Sequence, residues 1–304
     1  MYQVPDQTGR RIIVTGANSG TGKETTRRLA AAGAEIVMAV RSLERGAAAR
    51  DELLAENPAA RLELRRIDLG ELATVRAFAD DELADDRPLH VLVNNAGVMT
   101  PPKRLETADG FELQFGSNFL GPFLLTTLLL PKLLEADAPR VATMSSGTAN
   151  FGGIRFDDLQ WTRRYVPFRA YAQSKLADTL LGIRLAEIAR QNGWALRSTI
   201  AHPGYTRTNL QTAGRNLAYA PEQAKPPIQR TILPSQTVAQ GAEPLLFATA
   251  DPAAELGAYY GPSGWGGLVG PTHRARLPRS ARVGSDLAER LWAVAEELVE
   301  PWRG

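Results

Sequence analysis

Short apolar runs and stretches of helical periodicity alternate along most of the chain. Ile12-Ile13-Val14 ends in a glycine-rich turn and leads into helix-forming sequence from Lys23 to Ala32. Strand-like runs recur at Glu35 to Val40, Leu62 to Ile67, Leu89 to Val93, Arg140 to Met144 and Leu196 to Ala201. Between and after them, helical spacing predicts helices over Leu43 to Glu56, Leu72 to Leu83, about 105–135, Ala172 to Gln191, Thr237 to Thr249 and Asp286 to Leu298. Strands separated by helices imply βαβ crossovers. The pattern therefore predicts an α/β fold, a doubly wound parallel sheet with helices on both faces. Two segments, 204–236 and 257–283, are rich in glycine, proline and polar residues and read as irregular loops, of the kind that lie over a site. One domain over 1–304 is expected, with its core at about 8–250 and a C-terminal extension at 251–304.

The greasiest run, Phe119 to Leu134, is shorter than the roughly 20 residues a bilayer span needs and holds Pro122, Pro131 and Lys132. It reads as a buried core helix. Composition narrows the chemistry. The 304 residues include no cysteine, which excludes disulfides, thiolate nucleophiles, iron–sulfur clusters and zinc ribbons. His90, His202 and His273 are too few and too scattered for an all-histidine metal site. With 35 basic and 33 acidic residues, the net charge of +2 leaves no nucleic-acid footprint. The polar opening MYQVPDQTGRR does not read as a signal peptide, and none is expected. A soluble, cytoplasmic protein without a membrane span is the expectation.

The turn Thr15-Gly16-Ala17-Asn18-Ser19-Gly20-Thr21-Gly22 follows a predicted strand and opens a predicted helix, the context a phosphate-binding turn requires. Gly22-Lys23 mimics the end of a P-loop. However, Ala17 stands where the first glycine should be, and Glu24 replaces the Ser/Thr that would hold magnesium, so a dinucleotide is favoured over a nucleoside triphosphate. The second strand ends Ala39-Val40-Arg41-Ser42, with no acid for a ribose 2′-hydroxyl, and Arg41 suits a 2′-phosphate. NADP(H) is thus expected ahead of NAD. Tyr171-Ala172-Gln173-Ser174-Lys175 heads a helix, and its i,i+4 spacing puts phenol and ammonium on one face. A tyrosine, with its ordinary pKa of about 10, needs such a cation to work as an acid–base group near neutrality.

Together these motifs resemble the short-chain dehydrogenase/reductases over about residues 8–250. The Thr15–Gly22 turn resembles the family's T-G-x-x-x-G-x-G, and Asn94-Asn95-Ala96-Gly97 its N-N-A-G. Asn118 falls at the active-site asparagine, Ser145-Ser146 ends the fifth strand, and Tyr171 and Lys175 form the Y-x-x-x-K pair. Pro203-Gly204 with Thr208 matches P-G-x-x-x-T. Within the family, the 25-residue step from Ser146 to Tyr171, Phe156-Asp157-Asp158-Leu159-Gln160 and His202-Pro203-Gly204 resemble the retinol-dehydrogenase-like and protochlorophyllide-reductase-like members. Three departures stand out. Thr21 replaces Ile or Leu; Asn118-Phe119-Leu120-Gly121-Pro122-Phe123 replaces N-H-L-G-H-F; and the N-terminal anchor frequent in that subgroup is not expected here.

The resemblance implies a Rossmann-type fold and hydride transfer between nicotinamide and a small-molecule aldehyde, ketone or secondary alcohol. A biosynthetic ketoreductase, a C=C reductase and a non-catalytic dinucleotide sensor are the alternatives. It implies catalytic roles for Asn118, Ser146, Tyr171 and Lys175, with Ser145 the rival serine. Ser146 would hold the carbonyl oxygen and Tyr171 donate the proton. Lys175 would hold the nicotinamide ribose and depress the tyrosine pKa, and Asn118 would help hold a proton-returning water chain. Cofactor contacts are implied for Gly16, Asn18, Ser19, Gly20, Thr21, Gly22, Arg41, Asp68, Leu69, Asn95, Ala96, Gly97, Tyr171, Lys175, Pro203, Gly204, Thr206 and Thr208. No metal is expected, and monomer and homodimer are both open. His202 reads as structural, because no G-x-S-x-G elbow surrounds Ser145 or Ser146. Trp161, Tyr165, Phe168, Tyr205, Tyr219 and Trp265 are either pocket-lining or packing residues. The arginines from Arg274 to Arg282 read as a solvated face.

Overall fold

The computed structural model describes residues 1–208, 210–217, 233–282 and 285–304. Its strands are β1 (Arg11–Thr15), β2 (Glu35–Val40), β3 (Arg61–Arg66), β4 (Val91–Asn94), β5 (Arg140–Met144), β6 (Arg197–Ala201), β7 (Tyr259–Gly264) and β8 (Val269–Arg274). They form one sheet in the order β3-β2-β1-β4-β5-β6-β7-β8. Every pairing is parallel except β7 with β8, which is antiparallel. The order reverses between β1 and β4, so the chain leaves a crevice at the carboxyl ends of these two strands.

Successive side chains of a strand point to opposite faces, and both faces here are covered. Ile13, Val37, Leu92 and Val141 pack against α3 (Leu72–Leu83), α4 (Leu113–Leu134), α5 (Pro167–Gln191) and α8 (Ser285–Val299). Ile12, Val14, Ile36, Met38 and Val93 pack against α1 (Gly20–Ala31), α2 (Leu43–Glu56) and α7 (Val238–Ala250). A further α-helix among the described residues, α6, runs over Leu210–Asn216. The apolar run tested as a membrane span lies in α4. This is the one helix among the described residues long and apolar enough to cross a bilayer, and 78% of its most apolar window is buried inside the fold.

Three readings of the sequence are corrected. The helix expected from about 105 begins at Leu113. Ahead of it Glu106 bridges Glu112 around a turn at Gly110, and the Glu112 carboxylate accepts the Gln114 and Phe115 N–H groups, which caps the helix there. Segment 257–283 is not an irregular loop. It supplies β7 and β8, so part of the expected extension beyond 250 completes the sheet. Its glycine serves packing: a Cβ at Gly261 would lie 1.9 Å from His202 Nε2. Segment 204–236 contains α6, and residues 218–232 of it, Tyr219 included, lie outside the described residues.

Candidate active site

A cleft of about 1330 Å³ opens along the carboxyl edge of the sheet over the crevice between β1 and β4. At one end the glycine turn leads into α1, whose N-cap Ser19 makes no side-chain capping bond and whose first turn carries no acid. Its first N–H groups are therefore left without a side-chain acceptor at a positive helix end. Gly16, Asn18, Ser19, Gly20 and Thr21 line the cleft, whereas Gly22 lies just behind it. A Cβ on Gly22 would sit 2.2 Å from the Gly16 carbonyl oxygen, so only glycine lets helix and turn approach this closely. The NNAG segment clamps the turn. Asn95 Nδ2 donates to the Thr15 carbonyl (2.9 Å), Thr15 Oγ1 accepts from the Asn95 and Ala96 N–H groups (2.9 and 3.0 Å), and Thr21 Oγ1 donates to Asn95 Oδ1 (3.0 Å). Thr21, a departure from the family pattern, thus has a bonding partner of its own. Arg41 and Arg45 line the same end with Asp68 and Leu69; Arg41 is half exposed, its Nε 4.0 Å from Asp68 Oδ2.

At the other end, α5 carries Tyr171 and Lys175 against the tip of β5. Both line the cleft, and each is at least 95% buried. Lys175 Nζ donates to the Met144 carbonyl (3.0 Å) and to Asp178 Oδ2 (2.7 Å). An ammonium has three protons, so one is left for a ligand. Burial pushes the Tyr171 phenol up. The Lys175 charge and a hydrogen bond with Ser146 pull it down, and the Asp178 carboxylate adds a smaller upward push. The lysine acts in the expected direction, but burial outweighs it and the net shift is upward. Burial pulls Lys175 down, yet the charges of Asp178 and Tyr171 leave it raised.

The two serines differ. Ser145 Oγ donates to the Lys175 carbonyl (2.7 Å) and meets Thr179 Oγ1 (2.8 Å), which fastens β5 to α5. Ser146 Oγ accepts the Thr148 N–H (3.2 Å) and faces the phenol. Asn118 does not line the cleft. It sits in a π-helical turn of α4, Gly116–Leu120, a local widening common at functional sites. Its Oδ1 accepts the Val98 N–H (2.7 Å), and Nδ2 donates to the Val98 carbonyl (3.0 Å) and Ser174 Oγ (2.9 Å). It therefore ties the loop after β4 to α5. A Cβ on Gly97 would lie 3.2 Å from Asn118 Oδ1 and 3.5 Å from Lys175 Nζ, which puts these groups side by side behind the NNAG loop.

Pro203, Gly204, Thr206 and Thr208 line the cleft after β6. The Thr206 hydroxyl is spent on the Pro203 carbonyl (2.5 Å), and Thr208 Oγ1 accepts the Leu210 N–H (3.3 Å). His202 lines the cleft but is packed tightly into its wall. It stacks on Tyr259 with ring centroids 5.0 Å apart, and burial holds its pKa down at about 4. Of the aromatic candidates, Phe168 and Tyr205 line the cleft. Trp161 is buried beneath the Arg155 guanidinium, Tyr165 accepts a bond from Gln114, and Trp265 is exposed outside the lining. Among the arginines read as a solvated face, Arg276 and Arg282 line the cleft. Sequence reasoning missed Met99, Phe151, Tyr259 and Leu268, which also line it, and Asp178 behind Lys175. The first four carry no motif; Asp178 did carry a signal, an acid three residues after the lysine on the same helix.

A family model described as short chain dehydrogenase matches residues 10–216. Mouse retinol dehydrogenase 12 is 42% identical over 208 residues, which cover 68% of this chain and 64% of that protein, so the chain spans about two thirds of that relative in the match. Mouse polyprenol dehydrogenase is 39% identical over 294 residues, covering 95% of this chain and 84% of that one. The crystal structure of an uncharacterized protein from Mycobacterium paratuberculosis superposes with a TM-score of 0.79 at 37% identity, covering 98% of this chain and 96% of that chain.

Proposed function

The chain belongs to the short-chain dehydrogenase family, and from that premise we propose that it is an NADP(H)-dependent oxidoreductase interconverting an apolar aldehyde or ketone with its alcohol. The observation that carries this reading is the convergence of Ser146, Tyr171 and Lys175 in the same cleft as the glycine turn. The residues present fit the cofactor. Gly22 leaves a cradle that a Cβ would fill, and the start of α1 offers backbone donors to a diphosphate. Arg41, with no acid at the end of β2, favours a 2′-phosphate, and Asp68, Leu69 and the Asn95-Ala96-Gly97 backbone would border the adenosine half. At about 1330 Å³ the cleft exceeds the roughly 300–1,000 Å³ of a single small-ligand site, so a dinucleotide and a substrate fit together.

Bound NADPH supplies the hydride for reduction. The chain supplies the rest. Ser146 donates a hydrogen bond to the carbonyl oxygen, worth most as negative charge develops there. Tyr171 gives that oxygen its proton. Lys175, through its remaining N–H, would hold the nicotinamide ribose and stabilise the phenolate left behind. Asn118 fixes the Val98 loop and Ser174, and so the seat of Tyr171. The apolar preference rests on Phe151 and Phe168, paired 6.1 Å apart and exposed at the mouth, with Met99, Leu217 and Leu268 in the wall. Relatives named retinol and polyprenol dehydrogenase agree with this preference. The test follows oxidation of NADPH and of NADH against a panel of aliphatic and isoprenoid aldehydes and ketones, with Tyr171→Phe in parallel. Turnover with NADPH that disappears in the variant is expected; turnover that survives in the variant, or none with any substrate, overturns the reading.

A further inference from the structure

Tyr171, Lys175 and Asp178 stand at i, i+4 and i+7 on one face of α5, all three buried. Asp178 is 1% exposed. Its Oδ2 takes the Lys175 ammonium at 2.7 Å, while its Oδ1 is buried and finds no hydrogen-bond partner among the described residues. A carboxylate this deep, left half unsatisfied, costs stability that a neutral residue of the same size would not. Motif matching leaves it without a role, yet it holds the lysine on which the proposed proton transfer depends. We propose that Asp178 is a positioning residue that keeps Lys175 a cation, with one N–H turned to the cleft, in a site too dry to hold an unpaired ammonium. The inference rests on the dehydrogenase reading above.

Two constraints support it. An ammonium without a counter-charge in such surroundings gives up its proton readily, because burial disfavours the charged form. A neutral Lys175 would neither stabilise the Tyr171 phenolate nor keep three donors. Asp178 also restricts geometry. With one proton on the Met144 carbonyl and one on Asp178, the third has little choice of direction. Among the described residues, the titratable groups acting on the trio are its own members and Tyr259, which reaches in from β7. Burial raises the Asp178 carboxyl to about 6 against the opposing pull of Lys175, so the pair is most firmly ionised above neutral pH.

The experiment is an NMR titration of protein labelled at the ε-carbon of lysine. The chain has five lysines, so the Lys175 signal is assigned by its loss in Lys175→Met. In the parent protein it is expected to titrate above the ordinary lysine value. In Asp178→Asn its pKa falls by more than one unit, a more than tenfold loss of proton affinity, and Asp178→Glu restores most of the difference. The turnover profile of Asp178→Asn then acquires an alkaline decline of about tenfold per pH unit beyond the lowered pKa. A folded Asn variant whose Lys175 titrates as in the parent overturns the inference. So does a parent Lys175 that titrates at or below the ordinary lysine value, a result available even if the Asn variant does not fold. Absence of turnover throughout would sink the dehydrogenase reading, while the titration still decides the role of Asp178.

Discussion

Replacing Gly22 by Ala separates what the glycine turn does for folding from what it does for binding. Gly22 has ordinary helical backbone, so Ala by itself would favour α1 by about 1 kcal/mol. Space decides otherwise. The new Cβ would lie 2.2 Å from the Gly16 oxygen and 2.4 Å from Asn95 Nδ2, where real contacts do not fall below 3.0 Å. The carbonyl must therefore retreat by at least about 0.8 Å, the difference between 3.0 and 2.2 Å. Overpacking of this size costs about 1–3 kcal/mol, which the helix gain partly offsets, so a net loss of about 1 kcal/mol in stability is expected. Binding suffers more. Gly16 lines the cleft, and misplacing a binding group by about 1 Å can cost a hundredfold. Calorimetric titration with NADPH should show a Kd weakened by about ten- to a hundredfold. Gly9→Ala is the control: its φ of +79° makes Ala strained, but among the described residues no atom beyond its chain neighbours would lie within 4 Å of the new Cβ. It should lose about 1–2 kcal/mol of stability and bind NADPH as the parent does. A Gly22→Ala protein that binds NADPH with the parent's affinity refutes the cradle.

Arg41→Ala should raise the Kd for NADPH by about ten- to a hundredfold, the worth of a charge-assisted hydrogen bond, and leave that for NADH unchanged; equal loss for both cofactors would remove the 2′-phosphate from the argument. Ser146→Ala should lower kcat by about 10²–10³ without loss of thermal stability. Ser145→Ala should instead cost about 1–2 kcal/mol of stability, because it leaves the Lys175 carbonyl and Thr179 short of a partner, and the reverse pattern would exchange the serines' roles. His202, held at about 4 by burial, takes up its proton less readily folded than unfolded. Its contribution to stability is complete above pH 6.5 and is lost as the pH falls towards 4, by up to about 3 kcal/mol. Asp178, raised to about 6, acts in the opposite sense, its contribution growing as the pH falls through 6. The unfolding free energy of the parent minus that of His202→Gln isolates the histidine. It should shrink from pH 7 to 4.5, and a difference independent of pH would show that His202 is not held neutral.

Much of the candidate site was legible because its motifs are local. A glycine turn between a strand and a helix, or a tyrosine and lysine one helical turn apart, needs no knowledge of the rest of the chain. The choice between Ser146 and Ser145 rested on the spacing to Tyr171, and in the structure Ser145 is bonded to α5. The strands β7 and β8 escaped for a physical reason. Gly261, Pro262, Gly264 and Gly270 are poor strand formers; Gly261 is needed to clear a buried imidazole, and the others are tolerated because β6 pairs with β7 only at Tyr259 and Tyr260. The aromatic residues likewise could not be sorted in advance, since Trp161 is drawn under Arg155 while Phe168 is left at the cleft mouth.

The sequence by itself determined the alternation of elements, the doubly wound parallel sheet, the phosphate-type turn and the Tyr171–Lys175 pair. Each of these follows from residues within a turn or two of one another. Tertiary structure alone decided that Asn118 braces Val98 and Ser174 rather than facing the cleft, that Gly261 is small for the sake of His202, and that Asp178, among the described residues, is bonded to Lys175 alone. These depend on which distant segments exclude water from one another, and exclusion of water arises only when the sheet and its helices close together.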